Sequence, residues 1–144
     1  MIAELVAFIG IPAGLIIMRA SKEEQKAAVP FFALAEYIFL VGIFTILFYA
    51  RVDAVSIGLM ALTAIIVWKI KQPSAYVFPL LAIVIFLSST RDILFLQSVL
   101  IFLYGLVVAS HYIDFKKKNY VSILVSHSPY LVILVLLLSV ESMF

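Results

Sequence analysis

Pro30–Ala50 reads PFFALAEYIFLVGIFTILFYA, an apolar run with one charged residue, Glu36. A helix crosses the hydrocarbon core of a bilayer in about 20 apolar residues, so this stretch is sufficient for one crossing. Its opening proline suits the first turn of a helix, where a missing N–H leaves no bond unmade.

Working outward, charged residues divide the rest of the chain into similar runs. Upstream, Arg19-Ala-Ser-Lys-Glu-Glu-Gln-Lys26 is a polar, part-helical connection to a first run, Ile2–Met18. Downstream, Arg51 and Asp53 form a turn with balanced charges. Ala54–Trp68 follows and is stopped by Lys69, Lys71 and Gln72-Pro73. Next come Ser74–Ser89 and the connection Thr90-Arg91-Asp92, which has good N-cap chemistry. Ile93–Ile113 is closed by Asp114-Phe-Lys-Lys-Lys-Asn119, and Tyr120 to about Val140 is interrupted by Ser126-His127-Ser128-Pro129. The expectation is an all-α, polytopic transmembrane six-helix bundle. It forms a single domain over residues 1–144, with spans near 2–18, 30–50, 54–68, 74–89, 93–113 and 120–140 and no soluble domain.

Composition agrees. The 144 residues are 66% hydrophobic and 12% charged, against about 45–50% and about 25% in an ordinary soluble domain. A small soluble fold has too much surface per volume to hide this much apolar area. A cytosolic enzyme, a secreted module and a disordered chain are all excluded on that ground. The absence of cysteine removes disulfides, thiolate nucleophiles and Cys-based metal sites. Two histidines, His111 and His127, are too few for a His-rich metal centre, and no cofactor is expected. There is no P-loop, HExxH, GxSxG, Rossmann glycine pattern or potassium-filter sequence. The net charge of +2 calls for no nucleic-acid partner. Glu4 stands where a signal peptide carries basic residues, and Pro12 and Gly14 interrupt the apolar run, so a retained first span is expected.

The basic residues are sorted. Arg19, Lys22, Lys26, Lys69, Lys71, Lys116, Lys117 and Lys118 fall in loops one, three and five, and only Arg51 and Arg91 fall in loops two and four. The positive-inside rule then puts both termini outside the cytoplasm, in the plasma membrane, and a wrong span count would scramble the split. Trp68, Tyr76, Tyr112 and Tyr120 mark the inner boundary. The third and fourth runs are short for a crossing. A re-entrant hairpin there would sink Lys69 and Lys71 into hydrocarbon at about 2.5–3.5 kcal/mol each, so two crossings with local thinning are the better reading.

Few polar residues remain inside the spans, and these are the candidate site. Glu36 lies roughly 9 Å along the helix from Pro30, too deep for easy snorkelling, and a charge there is costly. It is either a proton or cation site or a packing group bonded across helices or to Lys22 and Lys26. Gln97, Tyr104 and His111 recur every seven residues and share a face, with Asp114 within reach of His111. That stripe lines a polar path or simply packs inward. At His127, Pro129 strips the Val125 carbonyl of its helical donor; this makes a broken-helix site or a kink satisfied by serines such as Ser126. Ala3, Ala7, Gly10 and Gly14 form a small-residue seam for close packing within the bundle or between subunits. Residues up to Lys71 and from Ser74 onward hold three spans each, the count an inverted repeat would need.

The leading expectation is a transporter or channel-type protein for an ion, proton or small solute, with Glu36, Gln97, Tyr104, His111, Asp114 and His127 as the polar site. A homo-oligomer is in keeping with so few helices. An accessory subunit of a larger membrane complex ranks second. A membrane-embedded, lipid-modifying enzyme ranks last, for want of a metal or nucleophile.

Overall fold

A computed structural model describes residues 2–20, 22–50, 52–70, 74–89, 93–109 and 120–141. Among them the chain forms seven α-helices and no strand: α1 (Ile2–Ala20), α2 (Lys22–Ala50), α3 (Ala54–Lys69), α4 (Ser74–Ser89), α5 (Leu94–Val108), α6 (Tyr120–His127) and α7 (Pro129–Glu141). The polar segment before Pro30 is helical from Lys22 and continuous with the apolar run, so α2 is 29 residues and about 43 Å long. Pro30 sits inside it, not at its start. At α3, the Asp53 carboxylate accepts the Ser56 backbone N–H at 2.8 Å and caps the helix. That gives this carboxylate a local structural role, while Arg51, Thr90, Arg91 and Asp92 lie outside the described residues.

One described stretch, Pro30–Ala50, is long and apolar enough to cross a membrane. The other apolar stretches, Leu5–Ile17, Ala54–Lys69, Ser74–Ser88, Leu94–Val108 and Pro129–Ser139, are shorter than that. The sixth expected span is two helices, because Ser128 and Pro129 divide it. The Val125 carbonyl, deprived of its donor by Pro129, accepts both the Ser128 N–H at 3.2 Å and the Ser128 hydroxyl at 2.8 Å. The serine that satisfies the kink is therefore Ser128; Ser126 donates instead to the Ile123 carbonyl at 2.7 Å.

Two helices organise the bundle. α5 packs against α1, α2 and α4, and α4 packs against α3, α5, α6 and α7. The most extensive pairing is α1 on α5. A Cβ on Gly10 would overlap the Phe102 carbonyl, and one on Gly105 would lie 3.0 Å from the Ile11 backbone nitrogen. Only glycine permits two helix backbones to approach so closely. The Gly10 and Gly14 part of the small-residue seam of α1 is thus occupied by α5 of the same chain.

Large apolar side chains lie exposed on the described exterior, while a few polar ones lie inside a mainly apolar core. Glu36, Gln97, Ser98 and His127 are buried, whereas Ile16, Phe31, Val41, Tyr49 and Phe95 are exposed. The core behind them is apolar, built around Ile11, Ile43, Leu47, Phe78, Leu81, Ile85 and Ile101.

Candidate functional site

Buried polar side chains occur on α2 to α6, and three of them, Glu36, Gln97 and His127, are residues singled out in the sequence. Glu36 faces α5, where the Tyr104 hydroxyl donates to its Oε1 at 3.3 Å, a separation beyond the usual range of about 2.5–3.0 Å for an O–H···O bond. Seven residues away on each helix, the Gln97 side-chain amide donates to the Ile43 carbonyl at 2.9 Å. These two links run in opposite chain directions, so α2 and α5 are antiparallel and tied at two heights. The spacing of Gln97 and Tyr104 explains why both reach the same neighbour: a seven-residue step returns nearly to the same helix face. Gln97 Oε1 is buried and meets no hydrogen-bond donor. The amide orientation follows from its partner, since a carbonyl can only accept.

His127 ends α6 and is fully buried. Its Nδ1 lies 2.8 Å from the Ile123 carbonyl and 3.0 Å from Ser126 Oγ. The carbonyl requires a donor, so Nδ1 carries a proton.

A single ring stands between the two halves of this cluster. Phe78 of α4 is completely buried. Its centroid lies 5.5 Å from that of Tyr104 and 5.3 Å from the His127 ring, which it meets edge-on at 86°. Tyr130 of α7 packs on the same phenyl at 6.0 Å and stacks on Phe8 of α1 at 5.8 Å. Glu36, Tyr104 and His127 therefore belong to one contiguous core, with an apolar separator in it. His111 and Asp114 lie outside the described residues, as do the side chains of Lys22 and Lys26. Among the described residues no group of three or more His, Asp or Glu side chains is placed to hold a metal ion.

Sequence reasoning misses Phe78 and Tyr130. Both look like ordinary apolar filling, and the one signal is that α4, short and almost free of polar residues, has neighbours enough to bury both its sides. It also misses a cavity of about 750 Å³ between α2 and α3, lined among others by Tyr37, Phe44, Phe48, Met60 and Trp68. This cavity is lined by neither Glu36, Gln97 nor His127; its polar lining residues include Thr45 and the buried Thr63. Its signal is the recurrence of aromatic residues along α2 at Tyr37, Phe44 and Phe48, one face of the helix away from Glu36.

Comparison with known proteins finds no match: no family model fits the chain, and no curated protein or solved structure is significantly similar to it.

Proposed function

We propose that the chain is a six-span integral membrane protein that moves a proton, cation or small solute, with Glu36 and Tyr104 as its working pair. The observation that carries this reading is the Glu36 carboxyl, 5% exposed and hydrogen-bonded by Tyr104 across the α2–α5 interface. An ionisable group held inside an apolar bundle is costly and is retained for ion or proton handling more often than for packing. The pair has two hydrogen-bonding states. A charged Glu36 accepts from the Tyr104 hydroxyl, and a protonated one can donate to it. Gln97 extends the polar line along α5, about 10 Å from Tyr104, and His127 lies across Phe78.

The membrane reading rests on the sorted basic residues, on the large apolar side chains exposed on the exterior, and on helix limits close to the expected spans. α3 and α4, at 16 residues each, are about 24 Å long. Against a hydrocarbon core of about 30 Å they call for local thinning. α6 and α7 form the two halves of one crossing, broken at Ser128.

The test is flux across liposomes loaded with a pH-sensitive dye, with Glu36→Gln as the control. A proton or cation flux that the substitution abolishes is the expected result. Equal flux in both proteins, or none in either, overturns the reading.

A second reading is an accessory subunit, its polar groups serving only to fix packing. It is favoured by the paired links 36–104 and 43–97, which set the register of α2 on α5 as a structural clamp would. The same substitution discriminates the two, because a clamp alters stability without any flux to lose. The groove between α2 and α3 presents no carboxylate or imidazole among its lining residues, which leaves an enzymatic reading without a general base there.

A further inference from the structure

The cavity between α2 and α3 takes no part in the polar site. At about 750 Å³ it falls within the roughly 300–1,000 Å³ typical of small-molecule sites. It opens on the outer surface, where Tyr37 and Trp68 are 53% and 85% exposed. From Tyr37 to Phe48 it runs about 16 Å along α2.

Its polarity is concentrated at one end. The walls are Phe44, Phe48, Met60 and Ala64, and the two threonines among the lining residues are already engaged. Thr45 donates to the Val41 carbonyl at 2.7 Å and Thr63 to the Leu59 carbonyl at 2.8 Å. Because α2 and α3 are joined by a short turn at Asp53, Tyr37 near the start of the apolar run and Trp68 in the last turn of α3 lie at the same end. Lys69, also exposed, follows Trp68. A phenol O–H and an indole N–H thus sit at the mouth of an apolar channel, the exposed Lys69 is the next residue along the chain from that indole, and no carboxylate is among the described lining residues. The ligand complementary to that arrangement carries an anion at one end and hydrocarbon behind it.

We infer that the α2–α3 groove binds one acyl chain of an anionic phospholipid, whose phosphate is held at Lys69, Trp68 and Tyr37. The inference rests on the membrane reading above, and it adds a lipid site separate from Glu36. Aromatic side chains that anchor at the headgroup level and lysines that attract anionic lipid are the two devices this end of the groove combines.

Trp68 is the sole tryptophan, so its fluorescence reports on the groove mouth directly. The protein is reconstituted in phosphatidylcholine vesicles, with either phosphatidylglycerol or phosphatidylcholine carrying brominated chains. Brominated phosphatidylglycerol should half-quench Trp68 at an about fivefold lower mole fraction, the enrichment expected for one lysine near the surface. Lys69→Gln should abolish that preference, and Ala64→Phe, which fills the groove, should weaken quenching by both lipids. Equal quenching by the two lipids in the wild-type protein means ordinary boundary contact and overturns the inference. So does quenching by neither lipid when the protein floats with the vesicles, including the case where crosslinks show a second copy covering the groove. A protein that does not float with the vesicles overturns the membrane reading itself, and the groove assignment with it.

Discussion

The Tyr104 hydroxyl of α5 donates to the Glu36 carboxyl of α2, a partner 68 residues earlier in the chain. Both side chains are buried, and the link joins α2 to α5. Tyr104→Phe removes the donor and keeps the ring, leaving a carboxyl short of one partner. The expected cost is about 1–3 kcal/mol, read as a lowered midpoint of unfolding in detergent. Glu36→Leu in the Tyr104→Phe background should restore part of the loss, a positive coupling in the double-mutant cycle.

Gln97 should behave differently. Its amide donates to Ile43, but its Oε1 is buried without a donor, so the side chain brings a cost along with its bond. Ile43 lies inside α2, where its carbonyl retains a helical acceptor role after truncation of the glutamine. Gln97→Leu is expected to change unfolding free energy by less than about 1 kcal/mol in either direction. A loss as large as that of Tyr104→Phe would show that Oε1 is satisfied.

The glycines offer an internally controlled pair. Gly10→Ala forces a methyl group into the Phe102 carbonyl, whereas a Cβ on Gly58 of α3 meets nothing within 4 Å. Overpacking costs typically about 1–3 kcal/mol, so Gly10→Ala should lower the melting temperature clearly. Gly58→Ala should raise it slightly, since alanine in a helix interior is favoured by roughly 0.5–1 kcal/mol.

Phe78→Ala empties the centre of the aromatic group formed with Tyr104, His127 and Tyr130. Loss of a fully buried phenyl costs about 3–5 kcal/mol, and Phe78→Leu should cost markedly less. If Glu36 and His127 serve one pathway, the smaller residue also raises flux in the liposome assay, because a packed ring excludes water between them.

These contrasts show which layers of the structure are legible in the sequence. Helix positions are, because charges and prolines interrupt long apolar runs at definite residues: the limits of α3 follow from Asp53 and Lys69, and the break at Ser128 from Pro129. The pairing of Gln97 with Tyr104 on one face is legible from their spacing. What they face is not. Which helix lies opposite depends on side-chain packing between distant segments, and nothing local in Tyr104 specifies Glu36. The kink serine is another instance. Ser126 and Ser128 both stand near Pro129, and only the rotation of the helix decides that Ser128 meets the Val125 carbonyl. The start of α2 is a third. Pro30 is compatible with a helix beginning there, but Lys22 to Ala28 are good helix formers and carry the helix back by two turns.

The close contact of Gly10 with Phe102 has a bearing on how the molecule is made. α1 leaves the ribosome well before α5, yet it has its widest interface there and little with its neighbour α2. Roughly ninety residues must follow Gly10 before the backbone that fits its notch exists, and contacts of such sequence separation form slowly. Until then the glycine face of α1 is an open docking strip on a nascent chain. Truncations that end before Leu94 should therefore leave α1 in search of another helix, and assembly of the bundle should be gated by the arrival of α5.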